Sequence, residues 1–99
     1  MNGFRHVVLF RWAEGTTTSQ REEVAIRLAE LATKVPGIVA LRFGADAGVN
    51  PDTFEFALVA DFADRDGYLG YRDHPEHRAF VTEVINPIVA ERATVQYEI

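Results

Sequence analysis

Two of the chain's three histidines, His74 and His77, lie three positions apart in the run YRDHPEHRAF, residues 71–80. Proline disfavours the helical region for the residue before it, which puts His74 at an N-cap or in a loop. Pro75 then suits the first helical position, where its missing N–H leaves nothing unpaired. His77 falls in the first turn, where orphan N–H groups and the helix dipole disfavour a cation and so favour neutral imidazole. That is the form able to accept a proton. Tyr71, just upstream, can donate a hydrogen bond to an oxygen that becomes negative. His77 as base and Tyr71 as oxyanion donor would suit removal of a proton next to a carbonyl. The same residues also read as helix punctuation, because Asp73 with Glu76 three positions on is a capping-box variant.

The third histidine, His6, sits in FRHVVLFRWA in phase with Val8, Phe10 and Trp12. A histidine on such an apolar face is either a core residue with a partner or part of a pocket. A pocket lined by His6, His74, Val8, Phe10 and Phe56 would take a flat, apolar or aromatic small ligand. A metal centre is the weaker reading: His74 and His77 have only Asp73 or Glu76 as further ligands, and no HExxH frame exists. GxGxxG, P-loop and GxSxG motifs are absent, so neither a cofactor nor a metal is expected. DRDG resembles a fragment of a calcium loop without its continuation and is read as a helix cap.

These residues must be positioned by a small scaffold. The chain has 99 residues, of which 47% are apolar and 25% charged, which fits one globular domain over residues 1–99. The formal charge of −5 argues against nucleic acid, whose phosphates require basic patches. No apolar run reaches the roughly 20 residues that span a bilayer, and Arg5, His6 and Arg11 interrupt the N-terminal apolar patch, unlike a signal peptide. Cysteine is absent, removing disulfides and thiolate chemistry. A cytoplasmic protein is expected.

Apolar periodicity predicts strands over 4–13, 38–44 and 54–63, with the fourth in ATVQYEI, residues 93–99. Val24, Leu28, Leu31 and Val35 mark a helix over 19–35, with Thr18 or Ser19 as N-cap, Glu22 and Glu23 in its first turn, and Pro36-Gly37 as its end. DRDGYLGY suits a short helix or turn capped by Asp64. A second helix begins near Pro75, with an apolar stripe of Phe80, Val81, Val84, Ile85 and Ile88, and Pro87 is expected to kink its last turn.

The order β-α-β-β-α-β is the ferredoxin-like arrangement of the α+β class, with a four-stranded antiparallel sheet. Two helices cover one face of such a sheet. Yet Val7 and Leu9 on strand one, and Ala57 and Val59 on strand three, make the other face apolar as well. A sheet with two apolar faces and one helical layer calls for a second sheet. A homodimer packed through the open sheet face, closing as a barrel, is therefore expected.

HVVLFRW opening strand one, YRDHPEHRAFV at the second helix and the terminal VQYEI resemble the stress-responsive A/B barrel (Dabb) family of dimeric α-β barrel proteins, over essentially the whole chain. One plant member of that family closes a linear polyketide by aldol condensation without a cofactor. The resemblance implies that His77 matches its general base, Tyr71 the residue holding the carbonyl oxygen, and His74 and His6 two further pocket histidines. Where that enzyme has another pocket histidine on strand three, this chain has Phe56. The implied activity is a cofactor-independent cyclase or lyase acting on a small ketide or carbonyl compound. The alternatives are a non-catalytic homodimer that binds a small molecule, and a cofactorless monooxygenase.

Overall fold

The computed structural model describes residues 3–99; Met1 and Asn2, at the start of the expected domain, lie outside the described residues. The elements run β1 (Phe4–Trp12), α1 (Thr18–Lys34), β2 (Ile38–Ala45), β3 (Phe56–Phe62), α2 (Arg65–Asp73), α3 (Pro75–Phe80) and β4 (Val89–Glu98). They form one antiparallel sheet in the order β2-β3-β1-β4. This is the ferredoxin-like fold. Among the described residues, no helix is long and apolar enough to cross a membrane.

The period of two along β1 decides what each face does. Phe4, His6, Val8, Phe10 and Trp12 are buried under the helices, together with Phe56, Leu58, Ala60 and Phe62 of β3. Val24, Leu28 and Leu31 of α1 close this core. Val7 and Leu9 point to the opposite face, opposite Val95 and Ala93 of β4 and Val59 and Ala57 of β3. Val95 and Tyr97 there are 53% and 45% exposed. Arg5 and Asp61 share this face and form a two-pronged ion pair at 2.7 and 2.9 Å. Both faces of the sheet are thus apolar, as the strand parities require.

Several local details differ from the sequence reading. The N-cap of α1 is Thr17: its hydroxyl accepts from the Gln20 N–H while the Gln20 side chain accepts from the Thr17 N–H, a reciprocal capping box. The earlier start moves Glu22 and Glu23 out of the first turn. β3 begins at Phe56, so Phe54 lies before the strand, its ring under the Arg11 guanidinium at 4.5 Å. α2 is a nine-residue helix whose Asp64 cap accepts from the Gly67 N–H at 2.9 Å.

Pro87 does not kink α3. After Phe80 the chain widens into one π-helical turn, Val81–Ile85, closed by the Asn86 N–H donating to the Val81 carbonyl at 2.8 Å. The helix ends there, and Pro87, without an N–H, is the middle residue of the turn 86–88 into β4. β4 begins at Val89, four residues before the expected start, which brings Arg92 into the sheet opposite Phe10.

Candidate active site

The helix-covered face of β1 and β4 and the inner sides of α2, α3 and the π-turn enclose a cavity of about 220 Å³. His6, Val8 and Phe10 form its β1 wall, Tyr68 and Tyr71 come from α2, and His77 from α3. Val81 and Ile85 close it from the π-turn, while Arg92 and Thr94 stand at its β4 edge. Five of the seven residues expected to form a site therefore meet: His6, Val8, Phe10, Tyr71 and His77.

Two do not. His74 lies between α2 and α3 and serves as a cap, its Nδ1 accepting from the Glu76 N–H at 3.1 Å. The proline that follows it holds it in the extended region (φ −66°, ψ 136°), which turns its ring to the backbone of the next helix instead of to the cavity. Phe56 lies farther along the sheet, stacked on Phe10 and Phe43 at 6.3 and 6.2 Å, and borders a separate groove of about 490 Å³ with Trp12 and Phe43. Neither is a lining residue of the cavity.

Tyr71 is 1% exposed, and its hydroxyl has no hydrogen-bond partner among the described residues. Burial pushes its ionisation well above the ordinary phenol value, so it remains a donor. The His77 ring lies against it, centroids 4.2 Å apart. His77 Nδ1 is 3.0 Å from the Arg72 carbonyl oxygen, which can only accept; the ring proton therefore sits on Nδ1. That leaves the lone pair on Nε2, on the far side of the ring from that carbonyl. Burial lowers the His77 pKa below the usual imidazole value, against the opposing pull of the Arg72 carbonyl and of Asp73.

His6 is 7% exposed, with Nδ1 2.9 Å from the Gln96 side-chain nitrogen. With that amide donating, Nδ1 accepts and Nε2 carries the proton. Burial, and secondarily His77, pushes its pKa down to about 4. The rings of Tyr68 and Tyr71 flank it at 4.9 and 6.1 Å. The site thus holds two neutral imidazoles in opposite tautomers and an unengaged phenol: one acceptor and two donors around an apolar space.

The sequence model of the stress responsive A/B barrel domain matches residues 4–99. The chain belongs to this family. A stress-response A/B barrel domain-containing protein of Arabidopsis thaliana is 28% identical over 94 residues, spanning 89% of this chain and 82% of its own length. A dimeric ferredoxin-like protein of unknown function from Thermobifida fusca YX is 40% identical, with a TM-score of 0.91 over 98% of this chain and 91% of its own. A hydroxynitrile lyase from Passiflora edulis shares the fold at 20% identity and a TM-score of 0.88, over 99% of this chain and 94% of its own.

Within this A/B barrel domain, several lining residues escaped the sequence reading. Tyr68 is three residues before Tyr71 on one helix face, a spacing that could have found it. Arg92 and Thr94 share a face with Gln96 at period two, but only once β4 is known to begin at Val89. Among the described residues, no three His, Asp or Glu side chains are arranged to hold a metal ion.

Proposed function

We propose that this A/B barrel domain is a cofactor-independent enzyme of the lyase or aldol-cyclase type, acting on a small ketide or related carbonyl compound. The observation that carries the reading is the buried, unpartnered Tyr71 hydroxyl beside a neutral His77 whose Nδ1–H is engaged by the Arg72 carbonyl. An unsatisfied buried hydroxyl costs about 1–3 kcal/mol. It is retained at a place where a substrate oxygen would satisfy it.

His77 Nε2 removes a proton from the carbon next to the carbonyl, and the bonding pair moves onto the carbonyl oxygen. Tyr71 O–H and His6 Nε2–H donate to the resulting enolate. The enolate carbon attacks a second carbonyl, and the protonated His77 returns the proton to the new alkoxide. That a hydroxynitrile lyase uses this fold in Passiflora edulis is in keeping with proton-transfer chemistry at a carbonyl centre. The protein acts as a homodimer through its open sheet face, in line with the dimeric Thermobifida fusca relative, and the cysteine-free composition suits the reducing cytoplasm.

Deuterium uptake at the methyl group of acetophenone in D₂O, followed by NMR, tests the first step without knowledge of the natural substrate. The wild-type protein should accelerate uptake over buffer, and His77→Gln should lose about 10²–10⁴-fold of that rate. Uptake no faster than in buffer, or unchanged in the variant, would remove His77 from the role of base.

A further inference from the structure

Among the described residues, Arg92 is the one permanently charged residue that lines the cavity, and no carboxylate lines it. The protein as a whole carries a formal charge of −5. Most of its other cations are engaged: Arg5 with Asp61, Arg11 with Glu91, Arg27 with Glu83, Lys34 with Glu76, Arg65 with Glu98 and Arg72 with Asp73. Arg92 has no acidic partner among the described residues. Its terminal nitrogen donates to the side-chain oxygen of Asn86 at 2.7 Å, a neutral contact from the residue that closes the π-turn. That contact orients the guanidinium and leaves its other N–H groups free. Thr94 lies two residues along the same face of β4 and adds a hydroxyl at the same edge.

The remaining ionisable groups of the lining, His6, Tyr68, Tyr71 and His77, are all shifted by burial toward their neutral forms. Asp73, whose charge acts on His77, is itself held by Arg72 at 2.9 and 3.2 Å. An anion entering the cavity therefore meets one fixed positive charge and no negative one. A planar guanidinium fork matches a planar carboxylate through two parallel hydrogen bonds. The volume, about 220 Å³, is below the usual range for drug-sized ligands, which restricts the occupant to a small molecule.

We propose that Arg92, oriented by Asn86 and flanked by Thr94, recognises a carboxylate, so that the substrate is a small carbonyl compound carrying one carboxyl group. This inference rests on the cavity being the reaction site, but its test reads binding and not turnover. The carboxylate sits at the β4 edge, and the apolar remainder extends inward toward Tyr71 and His77.

Isothermal titration with para-acetylbenzoate and its amide, para-acetylbenzamide, two ligands of nearly the same shape, isolates the charge. The acid should bind at least ten-fold more tightly than the amide. Arg92→Gln should erase that preference, and Arg92→Lys should keep part of it, charge without the fork. His77→Gln should leave the preference intact, which separates this inference from the role of His77 as base. Equal affinity for acid and amide, binding of neither, a preference that survives Arg92→Gln, or tighter binding of phenyl phosphate than of the acid would each overturn it.

Discussion

The imidazole of His77 and the phenol of Tyr71 lie against each other with ring centroids 4.2 Å apart and planes tilted by 39°, yet each is fixed by something other than its neighbour. His77 is held by the Arg72 carbonyl one turn of chain away, and Tyr71 by burial against Phe62 at 5.2 Å and His6 at 6.1 Å. Neither spends its free polar atom on the other. Each is left facing a third party.

That arrangement makes Tyr71→Phe informative. If the phenol is a packing residue, the loss of its oxygen changes little or removes a burden. We expect stability to hold or rise by about 1 kcal/mol, because a buried unsatisfied hydroxyl disappears. Proton exchange at the acetophenone methyl group should fall about 10²–10³-fold over the same substitution. Thermal unfolding and the exchange rate, measured on one preparation, check both; a variant that keeps full activity would assign Tyr71 to the core alone.

Acid stability should report on His6. Its folded-state pKa, about 4, lies below the ordinary value of 6.5, so between those values the unfolded chain binds a proton that the folded chain does not. Stability contributed by the neutral ring is complete above pH 6.5, declines as pH falls toward 4 and is gone below it. A shift of this size corresponds to up to about 3 kcal/mol. Asp61 and Asp73, lowered by their arginine partners, act below the ordinary carboxylate range and do not mimic this window. Urea unfolding at pH 7, 6, 5 and 4 should show the decline; His77, also pushed down by burial, adds to it, so His6→Gln should reduce the slope without abolishing it. An equal slope in the variant would place the proton uptake elsewhere.

The open sheet face gives a prediction about assembly. Val7, Leu9, Val59 and Val95 form a contiguous apolar surface on the side away from the helices. Sedimentation of the wild-type protein should give twice the monomer mass. Leu9→Asp puts an unpaired carboxylate in the middle of that surface and should shift the mass to the monomer, since an uncompensated buried charge costs several kcal/mol. A wild-type protein that sediments as a monomer would show that this face stays open to water.

The contrast between the two faces was legible in the sequence because strand parity is a property of spacing alone: His6, Val8, Phe10 and Trp12 could only share a side. The cavity was half legible for the same reason. His6, Val8 and Phe10 follow from the β1 parity, and Tyr71 and His77 from their placement around Pro75. What escaped depended on contacts distant in sequence. Arg92 belongs to the site only through its register with Phe10, and strand four read from Ala93 excludes it. Phe56 was in the right phase but too far along the strand, and phase says nothing of position along the axis. Pro87 misled because the helix changes pitch before reaching it, a rearrangement set by Val81, Ile85 and Asn86 that no periodicity announces.

His74 closes the comparison between motif and role. In YRDHPEHRAF it looks equivalent to His77, but its Nδ1 is committed to the Glu76 N–H at 3.1 Å, and it caps α3 instead of facing the cavity. His74→Ala should then cost about 1 kcal/mol of stability, the ordinary loss for removing a side-chain cap. His74→Asn, which can accept from the same N–H, should recover most of it. Exchange at the acetophenone methyl group should be nearly unchanged in both variants under conditions where they are folded. A loss of activity in the stable His74→Asn protein would instead return His74 to the site, and would mean that its ring, and not its cap, is what the reaction uses.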